Sequence, residues 1–133
     1  MSAYGATSRA RLETCHPVLQ LLMHRAMDTC SPGLDWSIIC GHRDKEAQEA
    51  AVAGGFSSVH WPNGKHNSMP SMAVDAAPFI RGKVSWFAPD FPPIAKHIKA
   101  TWAAMSEEER GGFTLSWGGD WKHRKDSPHW ELR

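Results

Sequence analysis

Lys65-His66-Asn67-Ser68-Met69-Pro70-Ser71-Met72-Ala73-Val74-Asp75 is the stretch on which the reading of this chain turns. It puts an imidazole at one end of a loop and a carboxylate at the other, inside the small apolar run Ala73-Val74-Asp75-Ala76-Ala77. Such a run is expected as a buried strand, where a carboxylate is costly unless it is paired or bound to a cation. Neutral His nitrogen and Asp oxygen both bind zinc at about 2.0–2.2 Å, and a catalytic zinc keeps three protein ligands and one open position. His129, in the strand-like His129-Trp130-Glu131-Leu132, is the third candidate ligand beside His66 and Asp75. Asp126, three residues earlier, could reach the reacting water without binding the metal. Together the four residues read as a zinc hydrolase.

Other readings of the same residues stay open. Eight histidines make accidental pairs common, and short motifs are hypotheses with a real false-positive rate. His60 and His66 are six apart, as are His123 and His129, which permits a four-histidine structural site with no open position. Asp75 would then be an unexplained charge in an apolar run. Glu131 rivals Asp126 as general base, because residues two apart on a strand face the same side. Arg43, in Gly41-His42-Arg43-Asp44, falls where a strand should give way to a helix. It is either a solvated arginine or a cation aimed from a rigid junction.

Around the central stretch the chain alternates helical and strand-like patterns. Leu12, Cys15, Leu19, Leu22, Met23 and Ala26 recur at three- and four-residue steps, an apolar helical stripe that Pro17 divides and Ser31-Pro32-Gly33 ends. Trp36 to Cys40 reads as a buried strand, and Lys45 to Ala53 as a helix with Asp44 as N-cap and Gly54-Gly55 as its stop. Residues 56–70 read as loop. A strand over Met72 to Ala77 leads to a hairpin turning at Arg81-Gly82-Lys83, then to an irregular Phe87 to Pro93 and a helix from Ile94 to Met105. Phe113 to Trp117 and His129 to Leu132 complete the strands. The expected fold is α+β, with a small, mainly antiparallel sheet carrying the zinc site and helices packed on it.

The 133 residues suit one catalytic domain spanning 1–133, and 41% hydrophobic with 22% charged residues is ordinary for a globular protein. A formal charge of +1 argues against a nucleic-acid partner, since that binding leans on many phosphate contacts. The only basic cluster, Lys122 to Lys125, is short. Cys15, Cys30 and Cys40 are odd in number and lack CxxC spacing, which suits buried reduced thiols. No stretch resembles a signal peptide or a membrane span. Seven tryptophans are many for this length; most should pack in the core, but Trp61, Trp117, Trp121 and Trp130 cluster around the proposed site and could wall a groove.

The order His-(loop)-Ala-Val-Asp, then Trp117-Gly118-Gly119-Asp120-Trp121, then Asp126-Ser127-Pro128-His129-Trp130-Glu131-Leu132 resembles the phage L-alanyl-D-glutamate endopeptidases. These fall in the zinc peptidase group that includes D-Ala-D-Ala carboxypeptidases and whose fold Hedgehog signalling domains share. The resemblance runs from about Leu12 to Leu132. It implies Zn2+ on His66, Asp75 and His129, Asp126 as catalytic base, Arg43 near the scissile carbonyl, and Trp117, Asp120 and Trp121 as substrate-binding residues. Gly64 departs from the serine that the family places two residues before its first histidine. The implied activity is cleavage of the L-Ala–D-Glu bond in peptidoglycan stems by a monomeric endolysin with no separate cell-wall-binding domain. It would be made in the host cytoplasm and act on the wall after a separate holin opens the membrane. A D-Ala-D-Ala carboxypeptidase, or a non-catalytic zinc-stabilised binding module, is the alternative.

Overall fold

The structure is a computed structural model and describes residues 3–133. In chain order it runs α1 (Ala6–Leu12), α2 (Pro17–Thr29), β1 (Trp36–Cys40), α3 (Lys45–Ala53), β2 (Ala73–Ile80), β3 (Lys83–Val84), α4 (Phe91–Ala104), α5 (Glu107–Arg110), β4 (Leu115–Trp117) and β5 (His129–Leu132). The strands form one sheet in the order β1-β2-β5-β4, with β3 folded back on the end of β2. All these pairings are antiparallel. The architecture is the α+β arrangement that the alternation of patterns implies.

Period-two alternation divides the sheet into a core face and a chemical face. Trp36 and Ile38 of β1, Val74 and Ala76 of β2, and Trp130 and Leu132 of β5 pack against the apolar sides of α2 and α4. Asp75, His129 and Glu131 therefore point the other way. Register finishes the job: Asp75 of β2 lies opposite His129 on one neighbour and Cys40 on the other, beside a β1 irregularity between Ile38 and Cys40.

Local chemistry explains most element ends. Pro17 opens α2, where its missing N–H costs nothing, and the His16 ring accepts from Val18 N at 3.1 Å. Asp44 caps α3 by accepting from Ala47 N at 2.8 Å. Ser106 and Glu109 form a reciprocal capping box on α5. Two expectations need correction. The segment expected to be irregular through Pro93 is already helical from Phe91, because Pro92 and Pro93 occupy the first turn of α4, where proline is tolerated. The strand expected to stop at Ala77 continues to Ile80, and its hairpin turns on two residues, Arg81 and Gly82, both at positive φ as a tight primed turn requires.

Tyr4, just before α1, is tied in by a buried polar relay. Trp36 Nε1 donates to Tyr4 Oη at 2.9 Å, and that hydroxyl donates to Met23 O at 2.8 Å, joining three separate elements. Tyr4→Phe would leave a buried donor and a buried acceptor without partners. It should lower unfolding stability by about 1–3 kcal/mol, read as a drop in the urea midpoint at unchanged slope; an unchanged midpoint would show that the relay contributes nothing net.

Candidate active site

Three acceptor atoms converge on the chemical face of the sheet. Asp75 Oδ1 lies 3.2 Å from His66 Nε2 and 3.2 Å from His129 Nδ1, and the two nitrogens are 3.3 Å apart. Ligands at tetrahedral corners about 2.0–2.1 Å from a zinc are about 3.3–3.4 Å from each other. The spacing thus fits three of four zinc positions. Orientation fits as well. His66 Nδ1 is 2.7 Å from Gly41 O, and His129 Nε2 is 2.8 Å from Glu131 Oε1. A carbonyl and a carboxylate only accept, so each ring commits its proton outward and turns a bare nitrogen inward. Among the described residues, Asp75 Oδ1 is the buried side-chain polar atom with no hydrogen-bond partner.

The electrostatics ask for positive charge at that point. Burial alone would push the His66 imidazole down and the Asp75 carboxyl up. The mutual field overrides it: Asp75 lifts His66 to about 10, and the two histidines hold Asp75 below the usual carboxylate range. A site that holds a proton so firmly is built for a cation, and a divalent metal competes for the same lone pairs.

Cys40 is a further possible donor. Its sulfur, with His66 and Asp75, forms a group whose ligand atoms lie within 4.8 Å of one another, enough to hold a metal. The His129 nitrogen lies 3.2–3.3 Å from the other two donors. Cys40, expected as a buried thiol, is half-buried and meets Asp75 beside the β1 irregularity. The four-histidine alternative is not assembled, because His60 is exposed and paired with Glu49 at 2.8 Å.

Around the triangle, each candidate has a definite place. Asp126 Oδ2 is 3.8 Å from His129 Nδ1, on a side chain still 41% exposed. Burial first, and the Asp75 charge second, raise its carboxyl above the ordinary range. The rival Glu131 has both oxygens in use, one on His129 and the other accepting from Arg133 Nε at 2.8 Å. Burial would raise its carboxyl, but these partners hold it near 2. Glu131 orients His129, whereas Asp126 keeps an open side.

Arg43 reaches the second oxygen of Asp75 through Nη2 at 3.4 Å and Gln48 Oε1 through Nη1 at 3.5 Å. Its backbone N–H donates to His66 O at 2.8 Å, so the strand-to-helix junction also steadies the histidine loop. Two residues that sequence reasoning missed complete this support. Gln48, fully buried, donates to Val59 O at 2.6 Å and Ser57 Oγ at 3.1 Å, and accepts from Asn67 Nδ2 at 3.0 Å. Asn67 in turn accepts from Gly64 N at 2.8 Å. A Cβ at Gly64 would stand 2.7 Å from Asn67 Oδ1, which accounts for glycine at this position. A lone Gln in an alanine-rich helix gives only a weak signal of such a role.

The three expected substrate-binding residues separate. Trp121 lines the cleft, its ring 5.3 Å from that of His129. Trp117 stacks on Trp130 and donates through Nε1 to Ser127 O at 2.7 Å, so it braces the loop that carries Asp126. Asp120 binds Lys99 at 2.6 Å, and neither it nor Trp117 is among the lining residues. Gly118 is needed in this loop because a Cβ there would overlap the Asp126 carbonyl. Its own carbonyl accepts from Asp126 N at 3.0 Å.

The resulting cleft, about 1370 Å³, brings Arg43, His66, Asp75, Asp126 and His129 to a common space with Phe56, Trp86 and Trp121. Comparison with known proteins bears on the fold and the family. The chain is 30% identical over 127 residues to the L-alanyl-D-glutamate peptidase of Escherichia phage T5, covering 92% of this chain and 84% of that protein. Its structure matches the crystal structure of the L-Ala D-Glu endopeptidase ChiX of Serratia marcescens with a TM-score of 0.77 at 27% identity, over 98% of this chain and 90% of that one. The family model described as phage L-alanyl-D-glutamate peptidase matches residues 1–132, and the chain belongs to that family.

Proposed function

We propose that the protein is a zinc peptidase hydrolysing the L-Ala–D-Glu bond of bacterial peptidoglycan stems, with His66, Asp75 and His129 as zinc ligands. The observation that carries this is the triangle of bare acceptors closed by the orphaned Asp75 Oδ1. Zinc held there would supply a Lewis acid for the carbonyl and lower the pKa of its water to about 7. Asp126 takes the proton of the attacking water and delivers it to the leaving amine, a task that a carboxyl raised towards neutrality performs better. Arg43 steadies Asp75 and presents a fixed cation to the oxygen on which negative charge develops. Glu131 keeps His129 in the tautomer that binds. A purely structural zinc module is the weaker reading, because it gives Asp126 and the open cleft no work.

Elemental analysis of the purified protein should give about one zinc per chain, lost in His66→Ala and His129→Ala and kept in Cys40→Ser. Zinc kept by His129→Ala and lost from Cys40→Ser would move the site to the sulfur-bearing set.

Asp126→Asn should retain zinc and fold while losing about 10²–10⁴-fold in rate. Arg43→Lys should also slow turnover with zinc retained, since an ammonium lacks the guanidinium's planar fork. Mass spectrometry of digested peptidoglycan reads the bond directly: new L-Ala carboxyl and D-Glu amino termini support the assignment, and free D-Ala points to a carboxypeptidase.

With the wall as substrate, we further propose that the protein reaches it through a pore made by a separate holin. Expressed alone in a Gram-negative host, it should leave the culture intact until the inner membrane is permeabilised, followed by optical density; lysis on expression alone would overturn this.

A further inference from the structure

We propose that Arg124 and Lys125 bind the free carboxylate of the residue on the leaving-group side of the scissile bond, so that the cleft selects an anionic stem over its amidated form. The inference rests on the function proposed above and adds the feature of the substrate that these two residues read.

Three observations meet at this loop. Arg124 and Lys125 both line the cleft, directly before Asp126 in the chain. Among the described residues, neither side chain makes an ion pair or hydrogen bond, whereas Arg25, Arg43, Lys99 and Arg133 all lie against carboxylates. Of the carboxylates at the ligand triangle, Asp75 lies with His66, His129 and Arg43, Glu131 with His129 and Arg133, and Asp126 with His129 at 3.8 Å, none of them paired with Arg124 or Lys125. Two unpaired cations thus face the space a substrate would fill.

The third observation is backbone geometry. Arg124 has φ of 54°, the left-handed region that a residue with a Cβ rarely adopts. Glycine or asparagine would make this turn with less strain, so the turn itself gives no reason for arginine. Arg81 takes the same region to close the β2–β3 hairpin, so at Arg124 the φ fixes the direction of the side chain while the cleft lining and the lack of a partner point to a ligand.

The chemistry of the bond names that ligand. Hydrolysis on the amino side of a glutamate releases the amine of that glutamate. The residue has two carboxyl groups; if one continues the stem, the other remains a carboxylate close to the departing nitrogen. Asp126 delivers the proton to that nitrogen. The residues immediately before Asp126 are therefore suitably placed to meet the carboxylate, and a guanidinium binds a carboxylate through two parallel hydrogen bonds.

The test uses the zinc-loaded protein and two synthetic stem peptides, identical except that the free glutamate carboxyl is an acid in one and a carboxamide in the other. For the parent, kcat/KM should favour the acid about 10–100-fold, as expected for a charged hydrogen-bonding pair. Arg124→Gly removes the cation and suits the backbone, since glycine adopts positive φ freely; Lys125→Gln keeps the side-chain length. Both should raise KM for the acid peptide, leave the amide peptide little changed, and together bring the preference near one. A parent without preference, or a double variant that keeps it, overturns the proposal. A parent that cleaves neither peptide overturns the proposed bond specificity, and this inference with it.

Discussion

A carboxylate buried in the central strand is the constraint on which the rest of this structure depends. Asp75 is buried between two neighbouring strands, where an unpaired charge would be too costly to keep. The protein divides its oxygens: Oδ2 faces Arg43 and Oδ1 faces two bare imidazole nitrogens. Because Gly41 and Glu131 accept the outward ring N–H groups, the only proton that can lie between these atoms is the additional one that the Asp75 charge holds on His66. Three lone pairs at about van der Waals contact repel one another unless a cation lies between them. The fold is thus organised around a site that is unfavourable by itself and becomes favourable with a bound positive charge, which couples metal affinity to folding.

The supports of the three proposed ligands differ in kind. Asp75 and His129 are fixed by the register of β2 against β5, a feature that cannot slip by one residue without turning both to the opposite face. His66 comes from a loop and needs other means. Its carbonyl is held by Arg43, its ring by Gly41, and the loop around it by the buried Gln48 and Asn67 amides. A half-satisfied buried network costs more than it contributes, so Gln48, Asn67 and Gly64 must be understood as one unit.

Much of this was legible in the sequence, for identifiable reasons. Asp75 stood out because charge in an apolar strand requires explanation, and His129 because strand periodicity places it on the face opposite Trp130. Arg43 was legible as a junction residue, though its contact with Asp75 was not, since that depends on how α3 sits against the sheet. Cys40 was hidden by a strand irregularity, which has no signature in five apolar-looking residues. The start of α4 was misplaced because proline both breaks helices and opens them, and only the chain before it decides. Trp117 and Trp121 share one motif, yet one braces a loop and the other lines the cleft; spacing does not distinguish a ring's two possible directions.

The division between sheet and loop has a functional logic. Metal ligands must keep their mutual distances within a few tenths of an ångström, and of the three residues proposed for that role two sit on paired strands. A general base must instead meet a substrate whose position varies as bonds change, and Asp126, proposed for that role, lies on a loop braced at discrete points: the Gly118 carbonyl, the Trp117 indole and the His129 amide. Gly118 allows that loop to close against its own return, and replacing its hydrogen with a methyl group would displace the Asp126 backbone while leaving the strand register untouched. On the proposed roles, metal affinity and proton transfer are separable in the chain. Changes to β2 and β5 act on the first, and changes to residues 117–128 act on the second.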